Sequence, residues 1–191
     1  MHLPDQLTLQ TERLELLGLT PWHIHELFAA YSKEEIMSYL GITSEADYNH
    51  YLEMHEMGME THRYSLYIFI LVEKETGRPI GECGFHTWNN KHNKADLFYL
   101  LRHDADKQKG YMKEALLPII NFGFRHMHLH RIAAYVADWN TPSVKLLKHY
   151  GFTLEGTMRE DYLYQGNFEA SDCYSLLQHE WKLENFNKRK P

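Results

Sequence analysis

Apolar residues recur along this chain with two different periods. Between Leu7 and Leu19, Leu14, Leu16 and Gly18 alternate with polar neighbours, the spacing of a half-buried strand. Thr20 followed by Pro21 reads as an N-cap with proline in the first turn. It opens a helix in which Ile24, Leu27 and Phe28 share a face. A second helical piece runs from Ser32 to about Leu40, and Ser44 caps a third that ends before Tyr64. Period two then returns over Ser65–Glu73, Ile80–Trp88 and Lys94–Leu101, with turns at Glu75–Pro79 and Asn89–Asn93. From Gly110 to about His126 the period is helical again, with Ala115, Ile119 and Phe122 on one face. Pro118 lies inside this helix, where proline costs about 3 kcal/mol or introduces a kink; the flanking pattern keeps the helix. Arg131–Ala137 reads as a strand, Pro142–Tyr150 as a helix closed by Gly151, and Phe152–Glu160 and Asp172–Trp181 as two last strands. The order predicts an α/β fold around a mixed sheet, with antiparallel hairpins at one end and a crossover helix inside. Without repeats or long linkers, residues 1–191 read as one domain.

Composition narrows the class. Apolar residues make up 43% and charged residues 24%, ordinary for a chain with a packed core. No window approaches the roughly 18 unbroken apolar residues of a membrane span. Met1–Asp5 lacks the basic and then apolar run of a signal peptide, so a cytosolic address is the expectation. The net charge is −6, and no Lys/Arg cluster precedes the tail Asn187–Lys190. This argues against duplex nucleic acid as the main ligand, since neutralising phosphates needs a basic face. A cationic partner such as an amine suits the charge better. Cys83 and Cys173 form neither a metal spacing nor a disulfide framework, and each reads as a small hydrophobe in a strand. His126, His128 and His130 alternate as three ligands on one strand face would. They fall where a helix must end and a strand begin, so no metal is expected.

One segment carries distinctive chemistry. Asp106-Lys107-Gln108-Lys109-Gly110-Tyr111-Met112 lies between a strand and a helix. A glycine at the tightest point lets backbone N–H groups face outward, and the helix start adds roughly half a positive charge. Lys107 and Lys109 contribute side-chain charge. Together these make an anion site suited to a pyrophosphate.

This loop resembles the acetyl-CoA pyrophosphate loop of the GNAT superfamily, Gln/Arg-x-x-Gly-x-Gly/Ala, with Lys107, Gly110 and Met112 in the fixed places. Lys107 keeps the charge without the planar fork of arginine, and Met112 adds bulk where a small residue is usual. Gly-Tyr-Met-x-Glu-Ala is similar to a variant in the RimJ/RimL-type branch. So are Thr11–Leu14, Gly84-Phe85, Leu129–Ile132, Asn140–Ser143 and Gly151–Gly156, in that branch's order and spacing. The resemblance implies a GNAT fold, with a mixed, mostly antiparallel sheet splayed at the cofactor and flanked by helices. It also implies direct attack of a neutral amine on the thioester of acetyl-CoA as co-substrate. Asp96 stands eleven residues before Lys107, where the superfamily's histone acetyltransferase branch places its glutamate base. One methylene shorter, it would work through a bridging water. His86 is the rival base and Glu82 a weaker third. Ser143 is the candidate acid for the leaving thiolate, since the tyrosine common further along this helix is replaced by aliphatic Leu147. Asn140 would hold the pantetheine end, and the pantetheine would run along the backbone of Tyr99, Leu100 and Leu101.

The acceptor implied is a primary amine. A protein or peptide N-terminus is favoured, because an α-amine (reference pKa about 7.7–8.0) is easier to present neutral than a lysine (about 10.4). A small-molecule N-acetyltransferase acting on a polyamine, amino sugar or antibiotic is the alternative, and a non-catalytic acyl-CoA sensor a third. Acceptor choice would lie with the N-terminal helices and the loop near Tyr162–Phe168. A dimer is usual in the resembled branch, which makes a homodimer one form this chain could take.

Overall fold

The computed structural model describes residues 3–182, so the basic tail Asn187–Lys190 lies outside the described residues. Eight strands form one sheet: β1 Thr8–Gln10, β2 Leu14–Leu19, β3 Ser65–Glu73, β4 Arg78–Asn89, β5 Lys94–Leu101, β6 Arg131–Val136, β7 Thr153–Tyr164 and β8 Asn167–Leu177. Their spatial order is β1-β2-β3-β4-β5-β6-β8-β7. Every pairing is antiparallel except β5 with β6, which α4 (Tyr111–Arg125) joins as a crossover. The other helices are α1 Pro21–Ala30, α2 Lys33–Leu40, α3 Glu45–Met57 and α5 Thr141–His149. Among the described residues, no helix is long and apolar enough to cross a membrane.

Local rules place the helices. Thr20 and Ser32 each head a reciprocal capping box, with His23 and Glu35, and the Ser44 hydroxyl accepts from the Asp47 amide. The sheet's two faces then sort the apolar residues. Phe69, Phe85, Leu97, Ile132 and Leu176 pack beneath α4, whereas Leu19, Ile68 and Ile70 pack beneath α1–α3.

Some expectations need correction. The single strand read over Leu7–Leu19 is a hairpin, because Thr11 turns the chain: its amide donates to the Leu14 carbonyl at 2.9 Å. The last two strands extend to Tyr164 and back from Asn167, because Gln165 and Gly166 both adopt positive φ, the conformation of a tight two-residue hairpin turn. Trp181 lies beyond β8 and packs near Phe124 and Tyr150. Pro118 sits in the middle of α4, which runs through it unbroken. The three alternating histidines share no strand face, since His126 caps α4 and His128 is left-handed at φ 53°.

Glu82 also changes role. It is buried and ion-paired to Arg102 Nη2 at 2.6 Å, and the Tyr51 hydroxyl donates to the same oxygen. With both neighbours committed to it, this carboxylate ties α3 and the end of β5 to β4 and is no candidate base. Arg102→Met should strand a buried charge and lower stability by about 3–5 kcal/mol, read by urea unfolding. A loss below about 1 kcal/mol, the range of exposed pairs, would contradict the pairing.

Candidate functional site

The parallel pairing of β5 with β6 covers Lys94↔Arg131, Ala95↔Ile132 and Asp96↔Ala133, and no further. Past Asp96 the two strands part, while β5 stays paired to β4 as far as Leu101. One edge of Leu97–Leu101 therefore faces a wedge rather than a neighbouring strand. A cavity of about 470 Å³ fills this wedge, lined among others by Leu97, Tyr99, Val136, Asn140 and Ser143. The backbone expected to receive pantetheine, Tyr99 to Leu101, is where the sheet leaves it open. Leu100 is exposed and Leu101 packs against the core.

The anion loop leads away from the open end of the wedge. Asp104–Asp106 forms a short 3-10 turn, and Gln108 (φ 61°) and Gly110 (φ 82°) are left-handed. Gly110 is the N-cap of α4 and offers no side chain, so the helix start is unobstructed. The loop is braced from below. Arg78 grips the buried Asp106 carboxylate through Nη1 at 2.9 Å and Nη2 at 2.6 Å, holding it below the usual carboxylate range. Arg13 Nη1 donates to the Lys109 carbonyl at 3.0 Å, its Nε pairs with Glu114 at 2.7 Å, and its guanidinium lies 4.6 Å from the Tyr111 ring centre. Thr11 Oγ1 also donates to Glu114, at 2.6 Å. The Thr-Glu-Arg-Leu segment is thus a strut for the loop. Lys107 is exposed and pairs with Asp104 at 2.6 Å, and Lys109 is exposed. The side chains of Tyr111 and Met112 are buried in the core, so the bulk of Met112 points away from the loop's open side.

At the other wall, Asn140 caps α5: its Oδ1 accepts from the Ser143 amide at 3.3 Å. Ser143 and Tyr99 line the same cavity. Burial pushes the Tyr99 phenol up to about 12, with the nearby Ser143 hydroxyl acting in the opposite direction. Leu147 lines the cavity where a tyrosine would otherwise stand.

The two base candidates are brought together. His86 and Asp96 are direct partners across β4 and β5, so their side chains share a sheet face. His86 lines the cavity, and its ring lies 5.7 Å from that of Phe98. Asp96 is half-buried at the apex of the wedge, where its charge acts on Tyr135.

Other lining groups escape a reading of the sequence alone. Asp161, Tyr162 and Tyr164 reach the cavity from β7, and Trp139 faces Tyr164 with ring centres 5.6 Å apart. The Tyr162 hydroxyl is buried with no partner among the described residues. The region near Tyr162–Phe168, expected as a loop governing acceptor choice, is the end of a hairpin. Position next to Asn140 is the one available hint for Trp139.

Comparison with known proteins agrees with this geometry. Residues 13–153 match the family model described as an acetyltransferase (GNAT) domain. An uncharacterized N-acetyltransferase, p20 of Bacillus licheniformis, is 32% identical over 91% of this chain and 98% of its own. The spermidine/spermine N-acetyltransferase SpeG from Vibrio cholerae, solved in complex with manganese ions, has the same fold: TM-score 0.64, 20% identity, 93% of this chain and 98% of that one. So has the ribosomal-protein-S5-alanine acetyltransferase from Vibrio fischeri, at TM-score 0.66 and 20% identity over 92% and 99%. A matched family model over most of the chain and a curated relative along nearly its whole length carry the conclusion: this protein belongs to the GNAT acetyltransferase family and is an acyltransferase.

Proposed function

We propose that the protein transfers acetyl from acetyl-CoA to a primary amine, with a peptide or protein N-terminal α-amine as the preferred acceptor. The carrying observation is the wedge beyond Asp96, which joins the open β5 edge to the braced loop ahead of α4. The unobstructed helix start, the left-handed Gln108 and Gly110, and Lys107 and Lys109 fit a pyrophosphate. The open strand edge at Tyr99–Leu101 fits an amide-bearing arm, and Asn140 stands at its far wall. Acetyl-CoA supplies the thioester. Asp96, at the apex, takes the amine proton through a water as the carbon–nitrogen bond forms. Ser143 protonates the sulfur as the carbon–sulfur bond breaks.

The RimJ/RimL-type branch is favoured by the ordered motifs from Thr11 to Gly156 and by likeness to a ribosomal-protein acetyltransferase. A small-molecule acceptor such as a polyamine is the second reading. Among the described residues, the cavity wall holds Asp161 and several aromatic rings but no lysine or arginine, a surface that suits ammonium groups, and SpeG shares the fold. The test compares kcat/KM for peptides with free Ala, Ser or Met N-termini against N-blocked lysine peptides, spermidine and an aminoglycoside. A preference of tenfold or more for spermidine or the aminoglycoside overturns the N-terminal reading. Binding of acetyl-CoA without turnover of any amine would leave an acyl-CoA sensor.

A further inference from the structure

A cationic hollow lies at the end of β5 opposite the anion loop. Two cavities of about 330 and 380 Å³ share Arg63, Tyr64 and Lys91 in their walls. Asn89, His92 and Lys94 complete the first, while the second also has Trp88 and one carboxylate, Glu60, which accepts from the Ser65 hydroxyl. In a chain of net charge −6, this is a concentration of positive charge. Among the described residues, Arg63, Lys91 and Lys94 form no ion pair. Trp88, in the wall of the second cavity, keeps its Nε1 buried out of reach of a ligand in the hollow, with no acceptor among the described residues.

Position says what the hollow serves. Lys94 precedes Asp96 by two residues on β5, about 7 Å at strand rise. Asn89, paired to Lys94, closes the same cavity, and His86, paired to Asp96, lines the acceptor cavity. The cationic hollow therefore lies one strand repeat beyond the apex of the wedge, on the side away from the cofactor loop. Lys94 and Leu101 are separated by about 24 Å of strand, so phosphates held at Gly110 lie at the far end.

We propose that this hollow is an oxyanion site for the acceptor, so that the preferred amine carries a carboxylate or phosphate about 7–10 Å from its nitrogen. The inference rests on the N-acetyltransferase reading of the neighbouring cavity and names its substrate class. The amine sits against His86, Asp96 and Asp161, and the anion against Arg63, Lys91 and Lys94. Opposite charges at the two ends fix the acceptor's direction and disfavour a polyamine, which would place a cation on the lysines.

The experiment uses matched pairs of acceptors: Ala-Asp-Asp-Ala against Ala-Asn-Asn-Ala, and 5-aminopentyl phosphate against 5-aminopentanol. In the wild-type protein the anionic member should have a KM lower by roughly tenfold. In the Arg63→Ala/Lys94→Ala variant that advantage should fall away, with kcat for the neutral member unchanged. Both side chains are exposed, so the variant should keep its fold. A larger gain for the peptide pair assigns a carboxylate, and a larger gain for the phosphate pair assigns a phosphate. Equal KM within both pairs, or an advantage that survives the double variant, overturns the proposal. If none of the four amines is acetylated, the reading of these amines as acceptors fails, and calorimetry with the acidic peptide decides the site separately. Binding that the wild type shows and the variant loses supports it; equal or absent binding overturns it.

Discussion

Asp96→Asn should lower kcat by about 10²–10⁴-fold, the range for loss of a general base, with affinity for acetyl-CoA essentially unchanged. The side chain is isosteric and sits at the last paired position of β5 with β6, so the wedge keeps its shape. The loop that would bind the pyrophosphate is anchored elsewhere, by Arg13 and Arg78. His86→Ala should be milder, because the histidine is on the wall and bonded to Thr87 Oγ1 at 2.6 Å, while the carboxylate is at the apex. The checking measurement is a pH–rate profile for both variants, with acetyl-CoA affinity measured in parallel. If His86→Ala flattens the profile and Asp96→Asn is mild, the base is the imidazole. Ser143→Ala should cost less than Asp96→Asn, since water can replace a hydroxyl donor to a thiolate.

Gly110→Val should abolish stabilisation by acetyl-CoA while the protein stays folded. At a hundred times its dissociation constant a ligand adds about 2.7 kcal/mol, or roughly 5–10 °C in Tm for a chain of this size. At φ 82° a β-branched residue is strained by about 1–3 kcal/mol. The added Cβ would stand 3.5 Å from Arg13 Nη2, so the valine methyls would press on the strut that holds the loop. The loop can distort without unfolding α4, because Thr11 and Arg13 hold that helix through Glu114, one turn further in. A melt shifted equally in the variant and wild type would remove the loop from the cofactor site. A wild-type melt unmoved by millimolar acetyl-CoA would count against the whole reading.

The sequence by itself determined whatever depends on neighbours along the chain. Caps at Thr20, Ser32 and Ser44, the period switch after Leu101 and the helix start at Gly110 are local events, decided within a turn or two of backbone. Hence most elements were legible, and so was the start of α4 at Gly110. Where a local signal was ambiguous the reading failed: Thr11 turning a strand into a hairpin, and the tight turn at Gln165-Gly166. Only the tertiary structure decided which distant residues meet. Arg78 reaches Asp106, Arg102 reaches Glu82, and Trp139 meets Tyr164. These contacts follow from strand register and from the parting of β5 and β6, which are set by packing across the whole sheet. Glu82 shows the difference most plainly. Its period-two spacing with His86 suggested a place beside the reaction, yet burial against Arg102 and Tyr51 made it a structural ion. The charges of Arg63, Lys91 and Lys94, scattered in sequence, became a hollow only because the hairpin of β4 and β5 brings them to the turn before β3.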